Sequence, residues 1–135
     1  MDFILRCDHQ VRVLMITFGK VVTNDTFLAG FAAVKDFVNH HGPYHGITDF
    51  SQVESFEITN ELLNALGSMA PAFPVPMRRV VVASAPAAYV CARIVQTLRA
   101  GSSAPIEISA TTEGAYARLH TDRSNFIDVR NSYPL

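Results

Sequence analysis

The sequence predicts an α/β fold, with a five-stranded mixed, mostly parallel sheet and about four helices. The chain has 135 residues, of which 49% are hydrophobic and 17% are charged, which is typical of one domain with a well-filled core. Short apolar segments typical of strands alternate with longer segments in which apolar residues recur at helical spacing. Because strands separated by helices are joined by crossover connections, this alternation predicts parallel pairing.

The first two predicted strands form a hairpin, which makes the sheet mixed. Residues 3–7 and 11–18 both have strand patterns, and a polar break lies between them. After Gly19 and Lys20, which we interpret as a turn or a bulge, residues 21–22 continue the second strand.

The first predicted helix begins after the capping side chains of residues 23–25 and ends at Gly42. Its apolar positions follow the helical period, at Phe27, Phe31, Val34 and Val38. Residues 44–50 form the third strand, with Asp49 near its C-terminal end, and residues 51–58 connect it to the next helix.

The second predicted helix begins at Thr59, whose hydroxyl is suited to cap it. Its apolar stripe consists of Leu62, Leu66 and Met69. A rigid loop follows, with prolines at Pro71, Pro74 and Pro76. Residues 79–83 are the clearest strand, because a continuous β-branched run is typical of a strand covered on both faces.

The third predicted helix begins near Pro86 and ends at Gly101. Its expected apolar face consists of Cys91, Ile94, Val95 and Leu98. Residues 106–110 alternate as a fifth strand, and a fourth helix follows, with Ala115, Tyr116 and Leu119 expected to face inward. We therefore predict a single domain over residues 1–120 and a C-terminal tail over residues 121–135.

Charge and cysteine content argue against several classes of protein. The net charge is −1, the pI is about 6.5 and no basic stripe is present in the sequence, so we expect no nucleic-acid binding. Arg78 and Arg79, the only adjacent basic pair, are interpreted as the charged start of a strand. Cys7 and Cys91 form neither a disulfide pattern nor a metal motif. The longest uncharged apolar stretch, residues 80–92, is shorter than the ~20 residues that a transmembrane helix needs.

We predict no catalytic residues, no metal and no cofactor. His40, His41 and His45 are close in sequence, but adjacent helical positions diverge and no nearby carboxylate completes a metal site. Asp8 and His9 suit a hairpin turn, and the sequence contains no nucleophile-elbow, dinucleotide or Walker motif. The first residues lack the features of a signal peptide, so we expect a cytoplasmic protein.

Polar side chains follow three predicted strands at the edge where α/β proteins bind ligands. Asp49 lies near the end of the third strand and Ser51 follows it, Ser84 follows the fourth, and residues 111–112 follow the fifth. The adjacent helix N-termini favour anions, although Thr59 and Thr112 are also ordinary helix caps.

A family resemblance appears in residues 46–53, Gly-Ile-Thr-Asp-Phe-Ser-Gln-Val, where a strand ends in Asp-Phe-Ser and a capped helix follows. This pattern resembles the STAS domains of bacterial anti-sigma-factor antagonists, and more closely the SpoIIAA-like, STAS/Sec14-like group. The order of elements agrees from residue 11 to residue 120. The resemblance implies a SpoIIAA-like fold.

The resemblance also implies a binding module, because STAS domains bind partners around the helix that follows this strand. Many are switched by phosphorylation of Ser or Thr at the start of that helix. Asn60 falls where the phospho-acceptor belongs, and Glu61 replaces a family glycine. With the strand-end positions included, the candidates for partner binding or a phospho-switch are Asp49, Ser51, Ser55, Thr59, Asn60 and Ser84.

Three functions remain open. The leading hypothesis is a non-enzymatic regulatory or protein-interaction module, whose partner is an unidentified protein or a second copy in a homodimer. The second is a carrier of a small apolar or lipid-type ligand, as the Sec14-like side of the resemblance implies. The aromatic residues expected to line its pocket are Phe27, Phe31, Phe37, Phe56, Phe73 and Tyr89. The third, an enzyme, needs converging polar groups at the strand ends.

Overall fold

The computed structural model describes residues 2–69, 77–99 and 105–129. Within these ranges the chain forms eight β-strands, four α-helices and one 3₁₀ turn. In chain order the elements are β1 (Phe3–Asp8), β2 (Val13–Phe18), β3 (Val21–Thr23), α1 (Asn24–His41), β4 (His45–Asp49), β5 (Ser55–Glu57), α2 (Asn60–Leu66), β6 (Arg79–Val82), α3 (Pro86–Leu98), β7 (Glu107–Ser109), α4 (Thr112–Arg118), the 3₁₀ turn (Arg123–Asn125) and β8 (Ile127–Asp128).

The larger sheet has six strands in the order β7-β6-β4-β2-β1-β8. Strands β2, β4, β6 and β7 are parallel to one another, whereas β1 is antiparallel to both β2 and β8. The predicted α/β class, the mixed and mostly parallel pairing and the four helices are thus confirmed. The predicted count of five strands is wrong.

The sixth strand comes from the segment predicted as a tail. In β8, Ile127 and Asp128 pair with Cys7 and Arg6 of β1, and Val129 beyond them is only 4% exposed. Two paired residues are too few to give a recognisable alternation in sequence. Residues 127–128 form a strand because they pair with the edge of β1.

A second, two-stranded parallel sheet joins β3 to β5. Residues 21–22 were expected to continue the second strand, and residues 51–58 to be a plain connection. Instead the chain turns at Gly19, and the carbonyl oxygen of Lys20 accepts hydrogen bonds from the backbone N–H groups of Glu54 (2.7 Å) and Ser55 (2.9 Å). These bonds align β5 beside β3 and away from the larger sheet.

The larger sheet is covered on both faces. Helix α4 packs Ala115, Tyr116 and Leu119 against one face, as predicted. Helices α1, α2 and α3 lie on the other face, over a core that includes Leu14, Ile16, Phe18, Phe37 and Phe50. Since side chains alternate along a strand, Val80 and Val82 of β6 face α4, whereas Arg79 and Val81 face the other three helices.

Helix α3 differs from its predicted orientation. Ala88 and Ala92 are its buried positions, while Ile94 and Leu98, expected to face inward, are 38% and 47% exposed. The small alanines let the helix lie close to the sheet, Cys91 and Val95 are half-buried beside them, and Ile94 and Leu98 are turned outward. None of the helices in the described ranges is long and apolar enough to cross a membrane.

Most of the local start signals are confirmed. The hydroxyls of Thr23 and Thr59 each accept a hydrogen bond from the first turn of the helix that follows, and Pro86 is the first residue of α3. The cap of α4 is Thr111, one residue before the predicted Thr112, which is the first residue of that helix. The predictions for the proline loop and for Gly101 fall outside the described residues.

Candidate functional site: an apolar cavity with two arginines

A cavity of about 140 Å³ lies between the larger sheet and helices α1, α2 and α3. Most of its wall is apolar. The side chains that line it are Phe27, Phe31, Thr48, Phe50, Phe56, Ile58, Leu63, Leu66, Arg79, Val81, Cys91, Ala92, Val95, Arg99 and Ile106.

The spacing of these residues explains why they share one cavity. Phe27 and Phe31 are one helical turn apart on α1. Arg79 and Val81 are two positions apart on β6, so they project from the same face of the strand. Cys91, Val95 and Arg99 repeat every four residues along and just beyond α3, which places them on one helical face.

Arg79 contributes a cationic group to the wall. Its Nη2 donates a hydrogen bond to the carbonyl oxygen of Pro105 (3.0 Å). Burial, and secondarily the charge of Arg99, lower the pKa of Arg79 to about 10. Arg79 is thus a half-buried cation in the wall of the cavity.

Arg99 is more fully enclosed, with 8% of its surface exposed. Its Nη2 donates hydrogen bonds to the carbonyl oxygens of Leu66 (2.7 Å) and Met69 (2.6 Å), at and just beyond the end of α2. Burial lowers the pKa of Arg99 as well. Within the described part of the chain, no carboxylate forms an ion pair with Arg79 or Arg99.

The aromatic residues proposed for an apolar pocket are placed unequally. Phe27, Phe31 and Phe56 line the cavity. Phe37 is fully buried elsewhere, stacked against His41, and Tyr89 is 45% exposed on the outer side of α3. Phe73 falls outside the described residues.

Sequence reasoning missed the two arginines. The signal for Arg99 was its spacing of four and eight residues from Val95 and Cys91, which places it on the inner face of α3. Arg79 was interpreted only as the charged start of a strand. Its alternation with Val80 was the sign that it points away from α4.

The candidates at the strand ends are divided between buried and exposed positions. Asp49 is 4% exposed, accepts a hydrogen bond from the Thr17 hydroxyl (3.3 Å), and accepts another from the backbone N–H of Ser51 (2.9 Å). Ser51 and Ser84 are exposed on the loops that follow β4 and β6. Asp49 thus stabilises the turn after β4, and the two serines are accessible.

The candidates before α2 form local hydrogen bonds. The Ser55 hydroxyl donates to Glu57 (2.7 Å). The Thr59 hydroxyl accepts from the backbone N–H of Leu62 and from the side-chain amide of Asn24 (3.0 Å), while the backbone N–H of Thr59 donates to Asn24 (3.0 Å). Asn60 is the exposed first residue of α2. Thr59 therefore joins the N-termini of α1 and α2.

Asp8 and His9 form hydrogen bonds within the fold. Asp8 accepts hydrogen bonds from the backbone N–H of Gln10 (3.0 Å) and the hydroxyl of Thr121 (2.6 Å), and His9 hydrogen-bonds to Tyr44. In the described ranges, no group of three or more His, Cys, Asp or Glu side chains is arranged to hold a metal ion.

No protein-family model matches the chain, and no curated protein matches it at a significant level. The likeness to STAS and SpoIIAA-like domains therefore stays a prediction from the sequence.

Proposed function

We propose that this chain is a non-enzymatic binding module whose cavity takes a small, mainly apolar ligand. The observation that supports the proposal is the cavity of about 140 Å³ between the sheet and three helices, with aromatic and aliphatic side chains over most of its wall. A cavity of ~150 Å³ with a similar apolar wall is large enough to bind benzene. A monocyclic or short-chain ligand is the size that fits. A cytoplasmic location stays part of this proposal.

Toluene binding to the full chain tests the proposal. We expect toluene to shift the amide resonances of cavity residues such as Val81 and Ala92 in a saturable way. Ala92→Leu extends a side chain into the cavity and should weaken toluene binding at least tenfold. Ala117→Leu, on the exposed side of α4, is the matched control and should leave binding unchanged. Unsaturable or scattered shifts in the wild-type chain would refute the proposed function.

The regulatory interaction module, the leading hypothesis from the sequence, is here the second candidate, and the exposed apolar residues on the outer side of α3 support it. Tyr89, Val90, Ile94 and Leu98 are 38–57% exposed and form an apolar stripe that contains one charged residue, Arg93. Exposed apolar patches often mark association sites. We propose a second copy as the occupant, because two such stripes facing each other across a two-fold axis would bury apolar surface on both copies.

Sedimentation equilibrium tests this second candidate. A dimer that dissociates on Val90→Asp, but not on Asn64→Asp, would support it, since both residues are exposed and only Val90 belongs to the stripe. A wild-type monomer at 100 µM would rule out the homodimer.

Mass spectrometry of protein from its native host tests for phosphorylation at Ser51, Ser55, Thr59 and Ser84. Unmodified peptides in every growth condition would rule out the proposed phospho-switch.

A further inference from the structure

The cationic groups in the cavity wall restrict what the cavity can hold. We propose that its ligand is a small amphipathic carboxylate, with an aromatic or short aliphatic body, whose carboxylate binds Arg79 and Arg99. This inference rests on the proposed ligand-binding function and names the chemical class of the ligand.

The two guanidinium groups come from different elements and meet at one cavity. Arg79 is the first residue of β6, and Arg99 directly follows the end of α3. Both side chains line the cavity, and the charge of Arg99 contributes, after burial, to the lowered pKa of Arg79. Two neighbouring cations repel each other, whereas an anion bound between them interacts favourably with both.

The hydrogen bonds of the two arginines leave donors for a ligand. Those formed with described residues use only Nη2, from Arg79 to Pro105 and from Arg99 to Leu66 and Met69. A guanidinium also carries N–H groups on Nε and Nη1. The parallel donor pairs of a guanidinium are Nε with Nη2 and Nη1 with Nη2. Arg79 uses one N–H of Nη2 on Pro105, so it can hold a carboxylate with two bonds. Arg99 uses both N–H groups of Nη2 on Leu66 and Met69, so its Nε and Nη1 can each give a single bond to the same carboxylate.

The rest of the wall specifies the body of the ligand. Its aromatic surface comes from Phe27, Phe31, Phe50 and Phe56, and Thr48 adds a neutral hydroxyl. None of the described lining residues is acidic, so the two positive charges meet no opposing charge in the wall. The small volume favours a body of about one ring. A singly charged head group is favoured because moving a dianion out of water costs more.

A series of compounds of one shape and different charge tests the inference. The full chain, labelled with ¹⁵N, is titrated with benzoate, benzamide and benzylamine at pH 7. We expect the dissociation constant of benzoate to be at least tenfold lower than that of benzamide, and benzylamine not to bind. Phenyl phosphate is added to compare head groups. If it binds tenfold more tightly than benzoate, the assignment to carboxylates is overturned in favour of phosphate esters.

Substitutions identify the residues responsible. Arg79→Met keeps an unbranched apolar stem, and we expect it to weaken benzoate binding at least tenfold while benzamide binding stays within threefold. Arg93→Met, on the outer side of α3, is the matched control and should change neither affinity. Arg99→Met should behave like Arg79→Met. If that variant does not fold, Arg79→Met decides the outcome alone.

The outcomes separate this inference from the proposed function. Equal binding of benzoate and benzamide, unaffected by Arg79→Met, would overturn the carboxylate assignment and leave the apolar cavity as the ligand site. A chain that binds neither of these compounds and shows no saturable binding of toluene would overturn both.

Discussion

Arg78 and Arg79 are adjacent in sequence, but only Arg78 has a carboxylate partner among the described residues. Nε and Nη2 of Arg78 donate to the two carboxylate oxygens of Glu107 (2.9 and 2.7 Å), and Nη1 donates to the carbonyl oxygen of Arg118 (2.6 Å). These bonds raise the pKa of Arg78 and lower that of Glu107. Arg79 projects to the opposite face, where burial lowers its pKa to about 10. Arg78 thus stabilises the fold, whereas Arg79 is the residue that we propose binds the ligand.

This difference predicts opposite effects of two matched substitutions on stability. Arg78→Met removes a bidentate ion pair whose side chains are 43% and 35% exposed, and should lower the free energy of unfolding by about 0.5–1 kcal/mol. Arg79→Met removes a half-buried cation that has no carboxylate partner among the described residues, and should leave stability unchanged or raise it slightly. Urea denaturation measures both. A larger loss for Arg79→Met than for Arg78→Met would contradict the assignment of roles.

Because of His45, we expect the free energy of unfolding to fall on mild acidification. Its Nδ1 accepts a hydrogen bond from the backbone N–H of Arg78 (2.9 Å), which only the neutral ring can do. Burial, followed by the charge of Arg78, lowers the pKa of His45 from its ordinary value of 6.5. Because the unfolded chain then binds the proton more readily, this stabilisation is complete above about pH 6.5 and is lost as the pH falls towards the lowered pKa.

The variant that tests His45 is His45→Asn, which keeps an acceptor near the position of Nδ1 and does not titrate. We expect its free energy of unfolding to fall less steeply than that of the wild type below pH 6.5, measured in urea at half-unit steps. Burial also lowers the pKa of His41, which contributes in the same direction, so the variant's profile should be flatter rather than flat. Identical slopes in the two proteins would refute the role of His45.

At Gly30 we expect core packing to affect stability more than helix propensity does. It lies inside α1, where alanine ordinarily stabilises a helix by roughly 0.5–1 kcal/mol over glycine. A Cβ at this position would lie 2.7 Å from Ile16 Cδ1 and 2.9 Å from Phe18 Cζ. Ile16 and Phe18 are 3% and 1% exposed, so neither can move aside into solvent.

We therefore expect Gly30→Ala to lower the free energy of unfolding by about 1 kcal/mol, since overpacking a core costs ~1–3 kcal/mol. Ala29→Gly, at the exposed neighbouring position, measures the propensity term alone and should cost about 0.5–1 kcal/mol. A higher melting temperature for Gly30→Ala would show that α1 is not closely packed on β2.

The reactivity of the Cys91 thiol should report on whether the cavity is occupied. This half-buried thiol lines the cavity, and burial raises its pKa, so little thiolate is present at neutral pH. Cys7 is 0% exposed. We expect iodoacetamide at pH 8 to alkylate one thiol of the folded chain slowly, and saturating toluene to slow that reaction at least threefold.

Cys91→Ser is the control for this measurement, because it should abolish the slow alkylation of the folded chain. Peptide mapping identifies the modified residue. Alkylation of Cys7 first, or a rate at Cys91 that toluene does not change, would show that the thiol does not report on the cavity.

The extent to which the sequence predicted the fold follows from how local each signal is. The β-branched run of β6, the caps Thr23 and Thr59, and Pro86 at the start of α3 depend on a few neighbouring residues. They were predicted correctly because propensity and capping act over one or two turns of chain. The inward face of α3 was predicted in part, since a helix with apolar residues on several sides does not by itself determine which side is buried.

The candidate site was less predictable. Its aromatic wall was anticipated at Phe27, Phe31 and Phe56, because apolar residues at helical and strand spacing are expected to face inward. Its charged groups were not, because a single arginine in a sequence carries no sign of whether it has a carboxylate partner.

By itself, then, the sequence determined the α/β class, most of the strands and helices and the points at which the helices begin, since hydrophobic periodicity and capping are local properties. Only the tertiary structure decided the pairing of β8 with β1 and of β3 with β5, the outward turn of Ile94 and Leu98, and the meeting of Arg79 with Arg99 at one apolar cavity. The physical reason is that strand pairing, burial and the stability of a charge depend on which distant segments exclude water from the same place.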